Sequence, residues 1–307
     1  MIRLFEYLRT LDGDIERPPA GKPSPSNRAQ RPDDACQVLS VLHLPQSARE
    51  GAPEVTNFRV AEVDVQPEDR LVCHTEPGSP AAHRFRLMRV RLREMQKARS
   101  IRTLLVTSAL PQDGKSTVVM NVATTLRQQG QQSILVIDGD LHRFSLTQRF
   151  SAGNAGLAEC INSGLDPCAA IQRLEPLGWH LLPAGAPSKN ASELLYGDAV
   201  SGIIRKLSSV FDWILIDSPP VAPLADAVSL ARNVDATLFV MRADCTPGEA
   251  VQHAISIIGR ERVIGIVLNG IREADRLYHR YSGYYRDAEM KKQPAERQTN
   301  TPAHLGI

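Results

Sequence analysis

A chain of 307 residues, 42% hydrophobic and 23% charged, can bury a sizeable core in one large or two small domains. Its formal net charge of +2 is too small to argue for a nucleic-acid partner. Five scattered cysteines without a C-x-x-C (Cys36, Cys73, Cys160, Cys168, Cys245) argue against a zinc site or disulfide frame, and no apolar run approaches the roughly 18 residues of a membrane span.

The first residues, Met1 to Arg9, carry Glu6 and lack a signal-peptide core. The expectation is a cytoplasmic protein that meets the inner face of a membrane only through a partner. Ten of the 21 prolines fall in residues 1–80, among many Ser, Gln, Asp and Arg. Residues 1–79 therefore read as a largely disordered arm, with possible docking segments at 2–11 and 37–44. Residues 80–275 read as the folded domain and 276–307 as a flexible tail.

Pro80 opens an amphipathic helix with Phe85, Met88, Leu92 and Met95 on one face. Residues 84–102 hold eight Arg or Lys and a single acid, Glu94, so the other faces are basic. They read as solvated stems over apolar surface or as an interface. Strands and helices then alternate. Strands are expected at 103–108, 133–138, 179–183, 212–217, 235–241 and 262–268. Helices are expected at 115–129, 145–150, 156–163, 192–209, 224–231 and 247–259. Runs such as Ile134 to Ile137 and Trp213 to Ile216 are apolar at every position, which marks strands covered on both sides. The fold class is thus α/β: a mostly parallel sheet wrapped by helices on both faces, of the P-loop NTPase kind.

Residues 107–117 carry the most chemical information. Ala109, Gly114, Lys115 and Ser116 fit the phosphate loop [AG]-x-x-x-x-G-K-[ST], between an apolar strand and a helix. Such a loop turns backbone N–H groups toward one point, so a nucleoside triphosphate is expected there. Gln112, Asp113, Gly114, Lys115, Ser116 and Thr117 form the binding set. Lys115 serves as a point charge over the β- and γ-phosphates, and Ser116 offers a hydroxyl to Mg²⁺.

Two more strands end in acids. Residues 134–140 close on Asp138 and Asp140, and residues 213–217 close on Asp217 before Ser218-Pro219-Pro220. Ligands of open parallel sheets bind at carboxyl ends of strands, so all three carboxylates belong at one edge. There they can coordinate Mg²⁺ or deprotonate a hydroxyl. Asn269 ends the last strand; it is a candidate for the adenine edge, and an Asn-Gly turn explains it equally well. Four of the six tyrosines, Tyr278, Tyr281, Tyr284 and Tyr285, lie within eight residues of the tail. They read as phosphate acceptors, or as the packing stripe of a terminal helix.

Together these residues resemble the bacterial tyrosine kinases (BY-kinases) of capsule and exopolysaccharide synthesis, over about residues 80–286. The matching stretches are 109–117, 135–143 and 214–221, with Leu182 to Gly185 and Ser192 to Leu195 between them. The resemblance implies an ATP- and Mg²⁺-dependent autokinase whose subunits assemble in a ring and phosphorylate each other's tail tyrosines. It implies that Asp138, with Lys115 and Asp140, is catalytic, and that Ser116, Asp140 and Asp217 hold the metal. It also implies a partner, the cytoplasmic end of a membrane polysaccharide co-polymerase, here on a separate chain. Two positions depart from the family pattern. His83 stands where the E-x-x-R-x-x-R ring motif has Glu, with Arg86 and Arg89 retained, and His142 stands where relatives usually carry a basic residue. Two other functions share much of this pattern: an ATPase switch of the MinD/ParA type, and an ATP-binding regulatory scaffold. The switch proteins carry an extra lysine early in the loop, where this chain has Leu110.

Overall fold

The structure, a computed structural model, describes residues 58–271 apart from 129–131, 154, 188–189 and 223–224. Among the described residues eight strands form one sheet: β1 (Arg59–Glu62), β2 (Thr103–Ser108), β3 (Ile134–Asp138), β4 (Gln172–Glu175), β5 (Trp179–Leu182), β6 (Trp213–Asp217), β7 (Ala236–Arg242) and β8 (Val263–Asn269). Their spatial order is β1-β4-β5-β3-β6-β2-β7-β8. Only the β4–β5 pair is antiparallel. Strand β2 lies where the chain changes direction. The next strands go to one side of it, and β7 and β8 go to the other. In an open parallel sheet that is where a crevice opens beyond the carboxyl ends.

The apolar runs behave as strands buried on both faces, because alternate residues point to opposite sides. Leu105, Leu135, Ile137, Ile214 and Ile216 join one core. Leu104, Val106, Ile134, Val136 and Leu215 join the other. The first face is covered by α5 (Leu157–Ser163), α8 (Asp198–Ser208), α9 (Asp226–Arg232) and α10 (Gly248–Ile258). Val200, Ile203, Ile204 and Leu207 give α8 the i, i+3, i+4, i+7 stripe that seats it. The helix expected over 192–209 is in fact two, because Gly197, in extended backbone, separates α7 (Ala191–Leu195) from α8.

The second face is covered by α2 (Pro80–Arg99) and α3 (Lys115–Arg127). Met88 and Leu92 are buried there, and Phe85 and Met95 pack beside them, as the periodicity predicts. Arg89 is also buried: its Nη1 donates to the Thr125 carbonyl at 3.1 Å. Arg93 donates to the Leu126 carbonyl at 3.4 Å. These carbonyls belong to the last turn of α3, the end of a helix where carbonyls lack intrahelical partners. Arg89, implied by resemblance to serve a ring, therefore holds the end of its own neighbouring helix. Burial and the charges of Arg93 and Arg86 lower its pKa. Arg89→Ala is expected to cost about 2 kcal/mol by removing a charge-assisted hydrogen bond to a buried carbonyl, with Arg89→Lys intermediate. Urea unfolding of the three proteins measures this, and equal midpoints would refute it.

The expected arm boundary at residue 79 needs correction. Residues 59–75 are folded: β1 pairs with β4, and Phe58 stacks on Phe211 at 5.6 Å. Helix α1 (Val72–Thr75) is fastened to α3 through Asn121. Its Oδ1 accepts from Cys73 N at 3.0 Å, and its Nδ2 donates to Arg70 O at 2.8 Å. The composition hid this because β1 is a four-residue edge strand, mostly exposed, with no periodicity to read. Strand β4, with Leu174 as its buried residue, went unread for the same reason. The segments 2–11 and 37–44 and the tyrosine cluster lie outside the described residues.

Candidate active site

The loop between β2 and α3 is built for close approach. Gly114 has φ +95° and precedes Lys115 at the start of α3. A Cβ there would collide with the Asn269 amide, so the position demands glycine for space as well as for conformation. Asn269 Nδ2 donates to the Asp113 carbonyl at 3.0 Å. The end of β8 thereby braces the loop. Asp113 is expected among the nucleotide contacts, but its carboxylate is engaged within the protein. It accepts from Leu110 N at 3.2 Å and from Thr246 Oγ1 at 2.7 Å. Thr246, which sequence reasoning missed, locks the segment after β7 onto the loop. Gln112 is exposed at φ +65°, and Thr117 lies in the first turn of α3.

Lys115 is buried, with Nζ 3.3 Å from Ser108 Oγ. Burial lowers its pKa, while Asp217, Asp140 and Asp113 push back. Ser116 donates to Asp217 Oδ2 at 2.5 Å. Asp138 and Asp217 are register partners on adjacent strands, so their carboxylates share one edge. Asp140 follows two residues after Asp138. Its Oδ1 accepts the amides of His142 at 3.2 Å and Arg143 at 3.0 Å, which curls the chain back over the strand end.

Asp138 is fully buried, and one of its oxygens is consumed. Oδ2 accepts from Thr147 Oγ1 at 2.7 Å, Thr147 N at 2.8 Å and Leu146 N at 3.1 Å. Thr147 in turn accepts from Ala184 N at 2.8 Å, which ties this anchor to the end of β5. Burial pushes the Asp138 carboxyl up to about 6, against the hydrogen bonds from Thr147. Burial pushes Asp217 further, to about 8, helped by the charge of Asp138 and opposed by Ser116 and Lys115. Close carboxylates buried together resist joint ionisation.

Among the described residues, Asp138 Oδ1 and Asp217 Oδ1 have no hydrogen-bond partner. Unpaired carboxylate oxygens in the interior are costly and call for a cation. Among the described residues no group of three or more His, Cys, Asp or Glu is arranged to hold a metal ion by itself. Magnesium is usually held by one or two carboxylates, with phosphate oxygens and water completing the shell. Ser116, Asp140 and Asp217 fit that part. Lys115, Ser116, Asp113, Asp138, Asp140, Asp217 and Asn269 thus converge on the crevice beside β2.

A parallel sheet, a glycine-gated phosphate loop and acids on neighbouring strand ends define a P-loop NTPase. The family model described as cellulose biosynthesis protein BcsQ matches residues 105–296, and the chain belongs to that family. It is 30% identical over 242 residues to the succinoglycan biosynthesis transport protein ExoP of Rhizobium meliloti, covering 72% of this chain but 30% of that protein. It is 26% identical over 227 residues to the tyrosine-protein kinase YwqD of Bacillus subtilis, covering 72% of this chain and 94% of YwqD. The solved kinase domain of the Escherichia coli tyrosine kinase ETK shares its fold, with a TM-score of 0.63 at 24% identity over 71% of this chain and 84% of that one. The resemblance to bacterial tyrosine kinases holds at the level of fold and named relatives. Among the described residues no helix is long and apolar enough to cross a membrane.

Proposed function

We propose that this protein is an ATP-dependent protein-tyrosine autokinase. Its acceptors are Tyr278, Tyr281, Tyr284 and Tyr285 of a neighbouring copy, and its role is to regulate exopolysaccharide or capsule synthesis and export. The observation that carries this reading is the placement of Asp138 and Asp217 side by side at the phosphate loop, each with an unpaired oxygen. The tyrosine kinase relatives support it, as does a tyrosine cluster that follows β8 in the sequence.

In this reading Lys115 lies against the β- and γ-phosphates, and Asn269 Oδ1 accepts from the adenine amino group. Ser116, Asp140 and Asp217 would hold Mg²⁺, and a bound Mg²⁺ would supply charge neutralisation to the phosphate oxygens. Asp138 Oδ1 takes the proton of the incoming phenol. The phenolic oxygen bonds to the γ-phosphorus while the bond to the β–γ bridging oxygen breaks, and ADP leaves. A carboxyl raised to about 6 suits a base that works near neutrality. The protein acts as an oligomer, and the intracellular end of a membrane co-polymerase is its activating partner. The relative ExoP, named as a transport protein and far longer than the matched region, supports that partner.

The test replaces all four tail tyrosines with Phe. ATP binding by calorimetry is expected to stay within two-fold, while phosphotyrosine on blots after incubation with ATP and Mg²⁺ disappears. Phosphotyrosine that persists would place the acceptors elsewhere. ATP hydrolysis by the unmodified protein with no phosphotyrosine at all would favour the switch, and binding with neither reaction would favour the scaffold.

A further inference from the structure

His142 follows Asp138 and Asp140 on the turn after β3, outside the set proposed to touch phosphate or metal, and its side chain makes a contact of its own. Its Nε2 lies 2.8 Å from Asp226 Oδ2 and 3.4 Å from Ser192 Oγ. Asp226 opens α9 and its side chain is wholly buried, while the imidazole is 36% exposed. Among the described residues Asp226 Oδ1 has no hydrogen-bond partner, and Oδ2 meets His142. Helix α9 is itself fixed to α7, which carries Ser192: Ser229 Oγ donates to Leu195 O at 2.5 Å. Through the imidazole, the turn after β3 is therefore fastened to two helices of the first face.

The same turn aims Asp140. The Asp140 carboxylate is buried and accepts the backbone amides of His142 and Arg143. The Phe144 amide closes the turn onto Asp140 O at 2.9 Å. Gly139 N donates to Asp217 O at 2.8 Å, so the base of the turn is fixed to β6. The far end is held against the first face by apolar packing of Leu141 and Phe144 and by the polar contact of His142. We propose that His142 and Asp226 are positioning residues: the imidazole–carboxylate pair fixes the turn from which Asp140 reaches the metal. This rests on the kinase reading of the same crevice. An arginine can donate to the buried carboxylate as the imidazole does, so the pair requires a donor of suitable reach, not histidine as such.

The experiment compares wild type, His142→Ala, Asp226→Asn and His142→Arg in the full chain. Two quantities are read: the rise in thermal midpoint produced by ATP with and without Mg²⁺, and the Mg²⁺ concentration for half-maximal autophosphorylation. For His142→Ala the rise with ATP alone should match wild type. The additional rise from Mg²⁺ should be at least halved, and the half-maximal Mg²⁺ should increase roughly ten-fold, in the range found for lost outer-shell contacts to metal ligands. His142→Arg should recover most of both. Asp226→Asn keeps the shape and an acceptor oxygen but removes the charge, and should shift both quantities in the same direction as His142→Ala by a smaller amount. It supplies the same reading if the alanine variant does not fold. Wild-type magnesium dependence in a folded His142→Ala or Asp226→Asn protein would overturn the proposal, as would an arginine variant no better than alanine. If wild type itself gains no midpoint from Mg²⁺ and ATP, the failure lies in the kinase reading.

Discussion

Lys115→Met protein is expected to show no phosphotyrosine when incubated alone with ATP and Mg²⁺, at a loss of about 10³-fold or more in rate. That corresponds to ~4 kcal/mol of transition-state stabilisation. The reason is structural. Lys115 is the buried cation of a crevice that also holds Asp113, Asp138, Asp140 and Asp217. Without it, a triphosphate of like charge would enter a set of carboxylates with Arg143 as the cation left to oppose them. The fold should survive, because the methionine stem fills similar space and removing a buried ammonium removes a desolvation cost. The stronger form of the experiment mixes two inactive proteins. Lys115→Met keeps its tail tyrosines but lacks the working crevice. The protein with Phe at residues 278, 281, 284 and 285 keeps the crevice but lacks acceptors. Transfer between copies predicts phosphotyrosine in the mixture, on the Lys115→Met chain only, at a rate that rises with the square of total concentration at low occupancy. A mixture as silent as its components would refute transfer between copies.

Much of the crevice was legible in the sequence because its chemistry is local. The loop spacing fixes Gly114, Lys115 and Ser116 within three residues, and an apolar strand ending in acid fixes Asp138, Asp140 and Asp217. The central strands were legible because burial on both faces leaves runs with no polar residue, and each was found within one residue of its end. What was not legible depends on pairs far apart in the chain. Thr147 anchors Asp138, but nothing in Ser145 to Arg149 announces it. Thr246 meets Asp113 across 133 positions. Asp226 meets His142 across 84. A threonine or aspartate at the start of a helix reads as a cap, and only the packed sheet shows that its side chain turns inward. The edge strands failed for another reason. Strands β1 and β4 are four residues long and partly solvated, so they carry no run and no clear alternation. Arg89 was misjudged because an arginine on a basic helix reads as solvated, and only the end of α3 behind it supplies the carbonyl that draws it in.

Asp217→Asn should have the opposite signs on function and stability. The side chain is fully buried, and burial with the neighbouring Asp138 charge raises its carboxyl to about 8. In the unfolded chain the same group ionises near 4. A folded-state value above the unfolded one contributes stability that is complete below pH 4 and is lost as pH rises toward 8, because the unfolded chain releases its proton first. Asparagine does not titrate and can still accept from Ser116 through its carbonyl, so it escapes that loss. Without nucleotide at pH 7.5, the variant is expected to be more stable by about 2 kcal/mol, or ~4–8 °C in thermal midpoint for a domain of this size. The gap should close as pH falls to 4. With ATP and Mg²⁺ the ranking reverses: wild type gains midpoint, because a cation at the paired oxygens turns the buried charge into a favourable contact, and the variant gains little. Autophosphorylation should fall at least 100-fold, ~2.7 kcal/mol. Calorimetric scans of both proteins at pH 4, 6 and 7.5, with and without Mg²⁺ and ATP, check every part of this. A variant less stable than wild type at pH 7.5, or equally stabilised by Mg²⁺ and ATP, would mean that Asp217 is not the strained group its burial implies. The argument extends to the other carboxylate of the pair. A crevice that stores two acids beside one lysine is held in a costly state until a cation and a triphosphate arrive, and the energy released on their arrival is available to order the loop and the turn around them.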